Sequence, residues 1–187
     1  MAGFIPEANP VFRGNAGQRL MIVGQAPGAK GHELGIPWAG QSGVMLRGWM
    51  AQAGFPEEAF LETWYLTSIT KCFPGKSTGS NGDRSPSAAE IRLCHDHLAR
   101  EIDLVQPELI VTLGRLAATS LIPGARKLSL TELVGSRRVA NLGYGEIPIL
   151  PLPHPSGVSR WHNDPANRTL VDRALASIGV ERVRLGM

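Results

Sequence analysis

Four short apolar runs punctuate the chain: 20–23 (LMIV), 64–69 (WYLTSI), 109–113 (LIVTL) and 147–152 (IPILPL), most of them beside Gly or Pro. Runs this short that are largely apolar, without strict alternation, read as strands buried on both faces. Between them, apolar residues recur at helical spacing over 42–53, 87–105 and 115–121. The helix over 87–105 is the best defined. Ser87 and Glu90 form a capping box, and Ile91, Cys94, Leu98, Ile102 and Val105 follow at three- and four-residue steps. A last helix is predicted from near Asn167, with Val171, Leu175 and Ile178 on its apolar face. Strands alternating with helices predict an α/β fold, a parallel sheet with helices on its faces. Ligands in such sheets gather beyond the carboxyl ends of the strands, so chemistry is sought just after each run.

The longest polar stretch, 76–87 (KSTGSNGDRSPS), reads as a loop within the unit, and no repeat divides the chain, so one domain over 1–187 is expected. At 187 residues, 43% hydrophobic and 19% charged, the chain can bury one sizeable core. Nineteen basic against sixteen acidic residues give a net charge of +3, a weak lean toward an anionic partner. Two cysteines exclude a disulfide scaffold, and no apolar run approaches the roughly 20 residues that span a bilayer. The start, MAGFIPEANPVF, lacks a basic and apolar leader, so a cytoplasmic location without membrane association is expected.

Two loops carry candidate chemistry. After the first run comes GQAPG (24–28), then a polar stretch, then GIPWAGQSG (35–43) opening a helix. Such glycine density lets backbone approach a ligand, or simply makes a tight strand-to-helix turn. Within these loops a phosphate-binding P-loop is excluded because its Lys and Ser/Thr are missing, a dinucleotide fingerprint fails, and no GxSxG nucleophile elbow is present. The fourth run leads into LPHPSG (152–157), where Pro153 and Pro155 restrict the backbone on both sides of His154. A histidine there is a satisfied structural group or a functional one, and partnership with the first loop favours function.

GQAPG, GIPWAGQSG, YLTSITKC (65–72), PELIVTLGRLAA (107–118) and LPHPSG follow one another in an order that resembles the bacterial uracil-DNA glycosylases, closest to the classes called family 4 and family 5. The resemblance covers roughly 20–159. It implies a single three-layer α/β/α domain with a central four-stranded parallel sheet, and an enzyme that flips uracil out of DNA and hydrolyses its N-glycosidic bond. Its partner would be uracil-containing DNA, with no obligate protein partner and a monomeric state. Gly24 and the backbone amides of Gln25 and Ala26 would bind the base edge, and Trp38 would stack on it unless it only fills core. His154 would donate to the base carbonyl that gains negative charge as the bond breaks. Ser42 and Gly43 would offer amides to a phosphate. Pro155, Ser156 and Gly157, with Val158, Ser159 and Arg160, resemble the loop that presses into the duplex, and Arg160 would meet a phosphate. Lys71, Lys76, Arg84, Arg126, Lys127, Arg137 and Arg138 are candidates for a DNA-facing surface, Lys71 and Lys76 being nearest a strand end.

The sequence departs from the family pattern in three places. Families 1 and 4 place a carboxylate in the first motif, where this chain has Gln25 and Ala26; glutamine orients a water but cannot take its proton. Either positioning by Gln25 suffices, or Glu33 from the 30–34 stretch is recruited, unless Glu33 is a solvated loop charge. The base-reading asparagine of several families is replaced by Ser68, which loosens discrimination or is an inert strand residue. The iron-sulfur cluster of families 4 and 5 needs four cysteines, and here only Cys72 and Cys94 remain, so no cofactor and no metal are expected. A zinc site on Cys72, Cys94, His95 and His97 lacks a metal-ligand spacing. The missing carboxylate also motivates an alternative: a uracil- or abasic-site DNA-binding protein with little or no turnover.

Overall fold

The computed structural model describes residues 7–79, 82–156 and 160–187. Its sheet contains β1 (Leu20–Gly24), β2 (Trp64–Ser68), β3 (Leu109–Leu113), β4 (Arg138–Asn141) and β5 (Glu146–Leu152), in the order β2-β1-β3-β5-β4. The four strands read from the apolar runs are parallel to one another. The fifth, β4, is an antiparallel edge strand paired with β5, so the sheet has five strands where the resemblance implied four. Apolar runs mark the central strands because helices cover both their faces; every residue of β1, β2 and β3 is buried.

The helices are α1 (Ala29–Leu34), α2 (Gln41–Gln52), α3 (Phe60–Thr63), α4 (Ala88–Val105), α5 (Arg115–Leu121), α6 (Leu130–Leu133) and α7 (Pro165–Arg184). On one face of the sheet, Leu20, Ile22, Leu66, Val111 and Leu150 pack with Leu46 and Met50 of α2 and with Val171, Leu175 and Ile178 of α7. On the other, Met21, Val23, Ile110 and Ile149 pack with Leu98 and Ile102 of α4 and Ala117 and Ala118 of α5. This is a three-layer arrangement. The apolar steps read in α4 and α7 are the buried faces observed.

The α4 capping box forms as the sequence predicts. Glu90 accepts from the Ser87 backbone N–H at 2.7 Å and from both terminal nitrogens of Arg84 at 2.8 and 2.6 Å. The Arg84 fork, aided by Ser87 and opposed by burial, pushes the Glu90 carboxyl down to about 2.

Both sheet edges are managed. Residues 11–13 lie along β2, where Arg13 and Leu66 exchange backbone hydrogen bonds of 2.9 and 2.8 Å. At the other edge β4 is four residues long and half-exposed.

Candidate base-binding cavity

The carboxyl ends of β1, β2 and β5 open onto one cavity of about 620 Å³, lined by Gln25, Ala26, Trp38, Ser42, Ser68, His154 and Ser156 among others. The first loop is stapled to the end of β2. Ile69 N–H donates to the Gly24 carbonyl at 2.9 Å, and both the N–H and the hydroxyl of Thr70 donate to the Gln25 carbonyl, at 3.2 and 3.3 Å. Among the described residues neither the Gln25 nor the Ala26 amide has a protein partner, as a backbone base-reading edge requires.

Trp38 has φ 58°, a left-handed conformation that costs a bulky residue energy and persists only where its surroundings enforce it. Two glycines do so. A Cβ on Gly24 would lie 2.8 Å from Trp38 Cζ2, and one on Gly43 would lie 1.6 Å from the Trp38 carbonyl oxygen. The indole thus rests on the end of β1, half-buried, 5.9 Å from the His154 ring between centroids. The Ser68 hydroxyl meets the same Gly24 position at 3.2 Å. Trp38 both borders the apolar core and lines the cavity, so the two readings of it are not exclusive.

His154 is held through its backbone. Its carbonyl accepts from Ser156 N–H at 2.8 Å and from the Nε2–H tautomer of His162 at 3.2 Å. Gly114, at the end of β3 with φ 87°, allows close approach: a Cβ there would sit 3.5 Å from His154 Cβ. Burial, then the charge of His162, pushes the His154 imidazole below its ordinary value. At neutral pH it is a neutral ring that can donate an N–H to a developing oxyanion without carrying charge itself. Sequence reasoning passed over His162, which packs between Trp49 and Trp161 with ring centroids 5.7 Å from each; its only signal was proximity to the final motif.

Several expected positions are corrected. Lys71 is 5% exposed, and its Nζ donates to Thr67 Oγ1 at 2.7 Å, the Ser68 carbonyl at 2.8 Å and Glu101 Oε2 at 2.5 Å, so it does not face DNA. Burial lowers the affinity of that amine for its proton, and the nearby Glu101 offsets this only in part. Gly43 cannot offer its amide to a phosphate because that N–H donates to the Gly40 carbonyl at 2.8 Å; Ser42 remains on the cavity wall. Pro155 is buried rather than presented to a duplex. The 30–34 stretch is helix α1, in which exposed Glu33 pairs with Lys30 at 3.0 Å, and Glu33 is absent from the cavity lining. Gly157, Val158 and Ser159 lie outside the described residues, and the backbone of Arg160 opens a short 3₁₀ turn, Arg160–Asn163.

Of the remaining cations, Lys76 and Arg84 line the cavity, Lys76 paired with Asp83 at 2.8 Å and Arg84 with Glu90. Arg137 pairs with Glu181 at 2.7 Å and Arg138 Nε donates to Ser136 Oγ at 3.0 Å, while Arg126 and Lys127 are exposed in a turn after α5.

The residues present do not fit an iron-sulfur cluster. Cys72 and Cys94 are both buried, and burial foremost pushes the Cys72 thiol up, away from the thiolate that ligation needs. His95 and His97 point to solvent, and no group of three metal-ligating side chains exists among the described residues.

Residues 11–178 match the sequence model of the Uracil DNA glycosylase superfamily. A Type-4 uracil-DNA glycosylase of Thermotoga maritima is 27% identical over 162 residues, 87% of this chain and 77% of that protein. Proteins of the same name from Archaeoglobus fulgidus and Sulfurisphaera tokodaii are 33% identical over 105 residues and 30% identical over 139. Those matches cover 56% and 73% of this chain, and 48% and 59% of the relatives.

Proposed function

Since the chain belongs to the Uracil DNA glycosylase superfamily, we propose that it hydrolyses the N-glycosidic bond of uracil in DNA, releasing the base and leaving an abasic site. One observation carries this reading beyond membership. A neutral, backbone-anchored His154 shares a cavity with Gln25, Ala26, Trp38 and Ser68, the positions that the family resemblance assigns to base binding.

The mechanism follows from those groups. An extruded uracil stacks on the Trp38 indole, and the amides of Gln25 and Ala26, with the Ser68 hydroxyl, meet its polar edges. As the bond between the sugar carbon and the base nitrogen lengthens, negative charge collects on the base carbonyl, where an N–H of His154 stabilises it. A neutral donor suits this step, since a charged imidazole would be costly in the buried site. Gln25 orients the water that captures the sugar cation. Ser42 and Ser156 on the rim, with Lys76 and Arg84, contact the flanking phosphates. The enzyme acts as one domain over 1–187, as a monomer, in the cytoplasm. Among the described residues no helix is long and apolar enough to cross a membrane.

A labelled oligonucleotide with a single uracil, treated with protein and then alkali, tests the reading under single- and multiple-turnover conditions. Cleavage dependent on His154 is expected. Selective uracil binding without cleavage would replace the enzyme with a lesion-binding protein, the alternative that Gln25 motivates. Neither cleavage nor binding would overturn the functional reading altogether.

A further inference from the structure

Hydrolysis at a sugar cation needs a group that takes the proton of the attacking water, and an anion near the cation lowers the barrier further. The first loop has neither, since Gln25 and Ala26 stand there. Among the described residues lining the cavity, the one carboxylate is Asp83, carried in from the 76–87 loop.

That loop is docked rather than loose at its base. Ser77 N–H donates to the Gly82 carbonyl at 2.9 Å and Arg84 N–H to the Gly75 carbonyl at 3.0 Å, pairing its two arms. Asp83 Oδ2 accepts from Ala29 N–H at 3.1 Å, and Oδ1 accepts from Lys76 Nζ at 2.8 Å. Its carboxylate lies directly over the end of GQAPG, where a Cβ on Gly28 would come 3.1 Å from Oδ2. Each carboxylate oxygen has two lone-pair sites, so these contacts leave one on each for a water.

We propose that Asp83 supplies the carboxylate that the first loop lacks and is a catalytic residue of the hydrolysis; the inference rests on the glycosylase reading. In the step, the bond from C1′ to the base nitrogen breaks and its electron pair leaves with the base, held at the carbonyl by His154. A water oxygen forms the new bond to C1′, and its proton passes to Asp83. The proton then returns through solvent to the released base anion, restoring the carboxylate.

The test is single-turnover cleavage of a uracil oligonucleotide by the wild-type chain, His154→Ala, Asp83→Asn and Asp83→Ala, with DNA affinity and thermal unfolding measured for each. Asp83→Asn keeps an acceptor for Ala29 N–H and so preserves the docking of the loop. Both Asp83 variants are expected to lose on the order of 10²-fold in rate with DNA affinity retained. Formate is small enough to enter the emptied site and should raise the Asp83→Ala rate while leaving the wild-type rate unchanged. Wild-type cleavage with Asp83→Asn within about twofold of it would overturn the role of Asp83 and leave the glycosylase intact. A slow Asp83→Ala that formate does not rescue would equally overturn it, reducing Asp83 to a loop anchor. A wild-type chain that cleaves nothing while binding uracil would overturn both readings.

Discussion

Two titratable groups, buried Lys71 and half-buried His154, sit just beyond the ends of β2 and β5, with β1 and β3 between them, and they are used in opposite ways. After β2, Lys71 spends its ammonium on Thr67, Ser68 and Glu101, three acceptors within 2.8 Å. After β5, His154 is fixed by its carbonyl, while among the described residues its ring makes no hydrogen bond. Burial with saturated partners makes scaffold; burial with donor capacity unspent makes a site that can act on something else. Lys71 clamps the carbonyl of the very residue, Ser68, whose hydroxyl faces the cavity, so the saturated group shapes the wall against which the unsaturated one works.

The sharpest challenge to that contrast is Lys71→Met. Removing one partner of a buried pair leaves Glu101 without its counter-charge, and a loss of about 3–5 kcal/mol in chemical denaturation is expected. A variant as stable as wild type but slow on uracil would mean that Lys71 acts on substrate, and the contrast would fail. His154→Ala is expected to show the converse, with single-turnover cleavage down on the order of 10²–10³-fold and DNA affinity and stability nearly unchanged. Trp38→Ala tests the floor of the cavity. Loss of base stacking, worth about 1–3 kcal/mol, should weaken uracil-DNA binding by roughly ten- to a hundredfold in a fluorescence titration. The smallest effect is in pH. The folded-state value of His154 lies below the ordinary 6.5, so the unfolded chain binds more protons between the two values. Stability should therefore rise with pH through the window just below 6.5 and be flat above it, with a slope from this group of at most about 1.4 kcal/mol per pH unit. Subtracting the profile of His154→Ala isolates this contribution; an identical profile would mean that His154 is not desolvated.

The central strands and α4, α5 and α7 were legible because each carries its own signal, an apolar run or a three-to-four-residue step, and tertiary packing agrees with it. Helix α1 was not. It is six residues long, contains Gly31 and has no side-chain cap, so packing rather than propensity holds it. Strand β4 was missed because only Ala140 of its four residues is buried, leaving no run and little alternation. At the site, Gln25, Trp38, Ser68 and His154 were legible through the order of their motifs. Lys71 was misplaced because its charge shows in the sequence while its partner Glu101 stands 30 residues on. Asp83 lay in a polar loop whose docking onto Ala29, 54 residues earlier, no local pattern announces.

The treatment of the sheet edges bears on how the protein behaves when crowded. One rim is screened by residues 11–13 and the other ends in a short, half-exposed strand that carries Arg138, so few backbone donors and acceptors are left with which a second molecule might extend the sheet. Many copies gathered along one stretch of nucleic acid therefore meet through side chains rather than through shared strands. Trimming the chain past residue 13 would remove that screen, and the shortened protein would be the one to form aggregates on standing.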